Sequence, residues 1–150
     1  MKSKVERGEK HMSKKPNTPQ EHHEELVKGF HAQLKQIFDS SQQAIYLYLD
    51  DNHKVCNKKF AEMLGFRSPE EWSKVENPLE VGVDKMSQDA VVSAYRNAME
   101  KLVASKIHVK LRKKAGGTFY ASMVMVPVAY HGHMFALHFI EEEAVTEDIQ

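Results

Sequence analysis

Apolar positions along the chain change their period several times, and each change marks an element. Before Thr18 large apolar residues are almost absent. After it they follow at Leu26, Val27, Phe30, Leu34, Ile37 and Phe38. Val27, Phe30, Leu34 and Ile37 are spaced 3, 4, 3, one narrow stripe on a helix over residues 20–38. Thr18-Pro19-Gln20-Glu21 supplies its start: a cap residue, then Pro at the first helical position, then an acid in the first turn. The stripe is too short for a stable isolated coiled coil, so it has to dock on something. Candidates are its own sheet, a partner's helix, or both.

The pattern then becomes strand-like. Ala44–Asp50 is rich in aromatic and branched residues, Asp50-Asp51-Asn52 is a tight turn, and His53–Cys56 is a short return strand. A compact helix follows, with Asn57 as cap, Phe60, Met63 and Leu64 on one face, and Gly65 ending it in a left-handed conformation. Ser68-Pro69-Glu70-Glu71 restarts a helix carrying Trp72, with Glu71 closing a capping box, and Pro78 and Gly82 break the next segment. Helical spacing returns over residues 87–105, from Met86 and Ala90 through Met99 to Val103, with Ser87 as cap. Three strands close the chain, over 107–113, 118–130 and 134–142, joined by hairpin turns at Ala115-Gly116-Gly117 and His131-Gly132.

The last two strands pose a problem. "MVMVPV" and "MFALHFI" are apolar on both faces, so the sheet has to be covered twice. Helices between the strands can cover one face. The N-terminal helix is the available cover for the other, because a bare second face would be an apolar patch large enough to drive association.

The element order and its punctuating residues resemble a PAS domain over roughly residues 36–142. Asn57, Phe60, Leu64, Gly65 and Phe66 stand where that family has the end of its second strand and a helix closing Leu-Gly-aromatic. "RKKAGGTFYASMVMVPV" is similar to the family's hairpin of a basic strand, a glycine turn and a long fourth strand. The resemblance implies an α+β fold. Its five-stranded antiparallel sheet has order 2-1-5-4-3, with short helices and one long helix on one face of residues 39–142 and an amphipathic flanking helix before it. It also implies a stand-alone sensor or interaction module, with Val27, Phe30, Leu34 and Ile37 as the dimer-forming stripe. The family's exit motif is not matched by "EEEAVTEDIQ", so output is expected to pass through the N-terminal helix, through dimer exchange, or to a separate effector protein.

Composition narrows the partners. The 150 residues hold 21 basic and 21 acidic side chains, a balance unlike the basic stripe of a nucleic-acid binder. A single cysteine rules out an internal disulfide and a cysteine zinc cluster, which fits a reducing compartment, and no run is long enough to span a membrane. The expectation is a cytoplasmic domain flanked by a polar tail (1–19) and an acidic one (143–150).

Candidate chemistry is sparse. No G-x-S-x-G, P-loop or G-x-G-x-x-G is present, so no enzyme is expected; a small α+β pocket enzyme using His138 as acid or base is the remote alternative. Thiol-adduct flavin domains of the family place their cysteine in a helix after the second strand, whereas Cys56 lies at the end of that strand. Haem-binding members use a histidine at the start of the long helix, where Gln88 or a neighbour stands here. Both features argue against those cofactors. Residues expected to line a pocket are Met63, Trp72, Met99, Met123, Met125 and His138, either as a plastic site for a small apolar molecule or as an ordinary filled core. The filled core corresponds to a constitutive adaptor. His22-His23 and His131-Gly132-His133 could catch a metal from a nickel column, but three or four converging ligands are not visible in the sequence, and no metal site is expected.

Overall fold

The computed structural model describes residues 18–144. The expected tails therefore lie mostly outside the described residues, the exceptions being Thr18, Pro19, Glu143 and Ala144. Thr18 Oγ1 accepts from Glu21 N at 3.0 Å, and Pro19 begins helix α1 (Pro19–Ser40), so both belong to the helix and not to the tail. Glu143 N donates to Tyr120 O at 2.8 Å and its carboxylate pairs with His108, so the last strand's exit is held down.

Strands β1 (Ala44–Asp50) and β2 (His53–Cys56) form the first hairpin. Helices α2 (Lys58–Met63), α3 (Pro69–Ser73) and α4 (Pro78–Gly82) follow, then a 3-10 turn (Lys85–Ser87) and α5 (Gln88–Lys101). Strands β3 (Ser105–Arg112), β4 (Thr118–Tyr130) and β5 (His133–Glu142) complete an antiparallel sheet of order β2-β1-β5-β4-β3. Pro127 is tolerated inside β4 because β3 has already ended opposite Met125, leaving that edge without a donor to satisfy. At the β4–β5 hairpin His131 and Gly132 have φ of +49° and +78°, the paired positive values of a turn that matches strand twist.

The alternation of each strand separates two cores. Tyr46, Cys56, Met123, Met125, Ala136 and Ile140 face α2–α5, whereas Ile45, Leu47 and Phe135 face α1. The second core is the cover that the doubly apolar strands require. Leu26, Val27, Phe30 and Phe38 of α1 are buried, and Leu34 packs against them. Ile37 is 54% exposed. The buried stripe thus ends on Phe38 and leaves Ile37 in solvent; the helical angle alone does not decide this, since Leu26, roughly 100° from Val27, is buried, so the way the end of the helix lies on the sheet does. Phe30 stacks on Tyr130 (4.5 Å, 1°) and meets Phe135 edge-on (5.1 Å). Gly29 permits this approach, since a Cβ there would stand 2.6 Å from the Tyr130 hydroxyl.

Two polar side chains knit the first core together. Asn57 Oδ1 accepts from Ile45 N and Phe60 N, both at 3.0 Å, while Nδ2 donates to Gln43 O (2.9 Å) and Phe38 O (3.3 Å). Its expected capping role is therefore one of four bonds joining α1, β1 and α2. Lys54 is buried, and its Nζ donates to the carbonyls of Asp51, Ser73 and Val75, so the cation sits at the C-terminal end of α3 where carbonyls lack helical partners. Burial lowers its pKa, with Asp51 pulling the other way.

Local details differ from the sequence pattern in four places. Glu71 Oε1 accepts from Arg67 N (2.7 Å) and not from Ser68 N, while its other oxygen pairs with Lys114 on the surface. Pro78 and Gly82 bound one turn of helix where a break was expected, as Pro suits the first helical position. Ser87 caps nothing: its Oγ accepts from Lys110 N at 2.8 Å, and the 3-10 turn before α5, capped by Asp84, puts Met86 in solvent at 68% exposure. Helix α5 ends at Lys101 with Leu102 left-handed (φ +56°), four residues before the expected end at 105.

Candidate functional site

The inner core holds a half-open cavity of about 220 Å³ between the sheet and α2–α5. The strands supply Tyr46, Leu111, Met123, Met125, His138 and Ile140, and the helical side supplies Phe60, Leu64, Trp72, Val91 and Tyr95. Ala94 and Ala98 are the buried residues of α5, small enough to bring that helix close to the sheet. Gly82 serves the same purpose in α4: a Cβ there would lie 3.1 Å from Trp72 Cη2 and 3.2 Å from Leu64 Cδ2.

Of the expected pocket residues, Trp72, Met123, Met125 and His138 line the cavity. Met63 and Met99 do not; they pack at the margin of the core as partly buried residues. The tyrosines Tyr46, Tyr48 and Tyr95 were missed. Alternation in "AIYLYLD" places Tyr46 and Tyr48 on one face, but which face meets the helices is set by the sheet's pairing. Tyr46 is the aromatic hub: its ring stacks on Phe60 (4.9 Å) and on His138 (4.7 Å) and meets Trp72 edge-on (5.5 Å).

His138 is the polar group of the inner face. Its Nδ1 lies 3.0 Å from Tyr46 O, an acceptor, so the neutral ring carries its proton on Nδ1 and Nε2 is left as an acceptor. Desolvation drives its pKa down to about 4, against the raising effect of the Tyr46 and Ala136 backbone. The ring is neutral at pH 7. Burial, together with Tyr48, Asp51 and Cys56, holds the Tyr46 hydroxyl well above its ordinary pKa, so it too stays protonated. The Trp72 indole N–H is buried without an acceptor in hydrogen-bond geometry, although it lies near enough to the Tyr46 oxygen to oppose that rise. The site is thus largely apolar, with a few oriented dipoles inside and one exposed carboxylate, Asp51, which accepts from the Tyr48 hydroxyl at 2.7 Å.

Cys56 is buried at the end of β2 and does not line the cavity; burial pushes its thiol up to about 12, which makes it a poor nucleophile. Gln88, at the start of α5, donates to Val83 O at 3.1 Å.

A second cluster overturns the expectation that metal ligands do not converge. His23, Asp50 and His53 bring three ligand atoms within 4.8 Å of one another at one end of the sheet. The residues come from α1 and from both sides of the β1–β2 turn, so only the docking of α1 unites them.

This architecture is the PAS fold, and solved structures share it. A LOV protein of Rhodobacter sphaeroides matches with TM-score 0.64 at 16% identity, covering 81% of this chain and 71% of that one. A PAS domain from Colwellia psychrerythraea matches at 0.61 and 15%, over 76% of this chain and 97% of that one. The PAS domain of a two-component sensor histidine kinase matches at 0.59 and 14%, over 77% and 98%. No protein-family model and no curated protein matches the sequence. At these identities the likeness is one of fold. Among the described residues no helix is long and apolar enough to cross a membrane.

Proposed function

We propose that the protein is a non-enzymatic sensory module that takes up a compact, largely apolar molecule in its inner cavity and signals as a homodimer to a separate effector protein. The observation that carries this reading is the cavity itself. A dry apolar cavity of about 150 Å³ accepts benzene, and this one, at about 220 Å³, has aromatic and thioether walls and a neutral histidine acceptor. A one- or two-ring molecule with a single donor fits both its size and its polarity. The fold relatives include a PAS domain of a sensor histidine kinase and the N-terminal domain of a diguanylate cyclase with a PAS/PAC sensor, which supports a signalling role. The dimer would use α1 and the outer sheet face, where Ile37 and Tyr120 are exposed large hydrophobics. A single buried thiol and a balanced charge suit a cytoplasmic protein that binds neither nucleic acid nor membrane. Catalysis by His138 is disfavoured, because a base with a pKa near 4 has little affinity for a substrate proton at pH 7.

Native mass spectrometry of tag-free protein, set against the denatured mass, tests the reading. A dimer carrying extra small-molecule mass is the expected result, and Met125→Trp, which fills the cavity, should abolish the adduct. A bare dimer that also fails to take up single-ring aromatics added in excess would favour a constitutive adaptor. The buried Met123 and Met125 side chains on the inner face favour that second reading.

A further inference from the structure

Four histidines gather beside the β1–β2 and β4–β5 turns, in a cleft that shares Tyr48 and Asp51 with the margin of the cavity. His23 lies in the second turn of α1, Asp50 ends β1, His53 begins β2 and His133 begins β5. His23 Nδ1 is 2.7 Å from Asp50 Oδ2, and His53 Nδ1 is 2.6 Å from Asp50 Oδ1, so one carboxylate faces two imidazoles. The His23 ring stands edge-on to His53 (5.5 Å, 86°) and to His133 (5.6 Å, 80°), and His22 meets His133 at 5.0 Å. Side-chain exposures of 12% for His53, 30% for His23 and 38% for Asp50 describe a half-buried cleft open to small ions. Pro19, Gln20 and Tyr48 also line that cleft.

We propose that His23, Asp50 and His53, with His133 as the nearby fourth group, form a binding site for a divalent transition-metal ion of the zinc class. Two neutral imidazoles and a carboxylate are a ligand set that zinc accepts, with a further histidine or water completing four positions. At metal–ligand lengths of about 2.0–2.1 Å, tetrahedral neighbours are roughly 3.3 Å apart. The observed nitrogen–oxygen separations need to open by only about 0.6–0.7 Å, within the reach of side-chain torsions, as each ring's proton moves from Nδ1 to Nε2 and frees Nδ1 as the ligand. His133 stands just outside the three converging ligands, its ring centroid 5.6 Å from that of His23. Its Nδ1 lies 3.2 Å from His131 O, so the proton sits there and Nε2 is the end that could coordinate once the turn shifts toward the ion. An ion here links α1 to both the β1–β2 and β4–β5 turns, and so clamps the flanking helix on the outer face. Its ligands do not line the inner cavity, so the site stands whether or not that cavity takes a ligand.

The test uses tag-free full-length protein, with Co²⁺ as a spectroscopic probe and Zn²⁺ as competitor. One ion per chain is expected, with the intense visible bands of a four- or five-coordinate site that Zn²⁺ abolishes. His53→Ala, Asp50→Asn and His23→Ala should each weaken binding at least tenfold, while His108→Ala, on β3, should leave it unchanged. Circular dichroism melts check that each variant folds. Should a variant fail to fold, imidazole ¹⁵N spectra of the unmutated chain decide instead: Zn²⁺ should shift His23, His53 and His133 and spare His108 and His138. Binding equally tight in the Asp50 and His53 variants, a six-coordinate spectrum, or shifts confined to His108 and His131 would overturn the proposal and leave a proton-bridged His-Asp-His network.

Discussion

Asn57 shows how much one side chain can carry. A buried amide that uses both donor positions and the oxygen has no water to fall back on when it is removed, so the groups it served stay unpaired. Asn57→Ala strands Ile45 N, Gln43 O and the first turn of α2 together. We expect a loss of about 2–4 kcal/mol in urea unfolding, the cost of one cap and at least one buried unsatisfied group. Asn57→Asp should recover only the part owed to the oxygen, since it cannot donate. His138 imposes a pH dependence of definite sign. Its folded pKa is about 4, against about 6.5 in an unfolded chain, so below pH 6.5 the unfolded state takes up the proton first. Above pH 6.5 the residue contributes no slope. From pH 6.5 down to about 4 stability falls, by on the order of 3 kcal/mol, and lower still this contribution levels off. Comparing unfolding free energies of the parent and His138→Gln across that window isolates the effect: the variant's curve should be the flatter one.

At the scale of elements, α1 is the informative case. Its buried stripe docks on its own sheet, which changes what the stripe can do for a dimer. Phe30 is 7% exposed, so a charge placed there is buried before any partner is considered. Phe30→Glu with Leu34→Glu, which the sequence alone would suggest as a clean break of a dimer, is expected to undock α1 from its own sheet instead. Phe30→Ala should do so more gently, because the stack on Tyr130 and the edge contact with Phe135 vanish together. Hydrogen exchange is the measurement: amides of residues 26–34 should lose protection while the β4–β5 ladder keeps it. Loss of protection throughout the sheet would instead make α1 part of the global folding unit.

For the molecule as a whole, one sheet serves two purposes because its strands are apolar on both faces. The inner face, under α2–α5, holds a half-open cavity whose walls are held by short helices and close glycine contacts. The outer face is occupied by α1, whose first turns reach the histidine cluster at the β1–β2 and β4–β5 turns. Strands β1, β4 and β5 connect the cavity to α1, since they carry Tyr46, Met125 and His138 on one side and Ile45, Leu47, Tyr130 and Phe135 on the other. Coupling of ligand to dimer would pass through these strands, with the Asn57 bonds to Phe38 O and Phe60 N as a second link.

The amino-acid sequence by itself determined the elements, their order and the demand for two covers. Those properties are local: caps such as Thr18, Asn57 and Ser68, turn glycines, and periods of two or 3.6 depend on near neighbours along the chain. It also named Trp72, Met123, Met125 and His138, since strand and helix spacing place large side chains inside. Three things waited for the tertiary structure. That Phe38 and not Ile37 continues the α1 stripe depended on how the helix lies on the sheet. That Tyr46 and Tyr48 line the cavity while Met63 and Met99 do not depended on which strand face met the helices. The meeting of His23, Asp50, His53 and His133 depended on both at once. Their separations of 27, 3 and 80 residues carry no periodic signal, and only a docked helix beside two hairpin turns brings their side chains together.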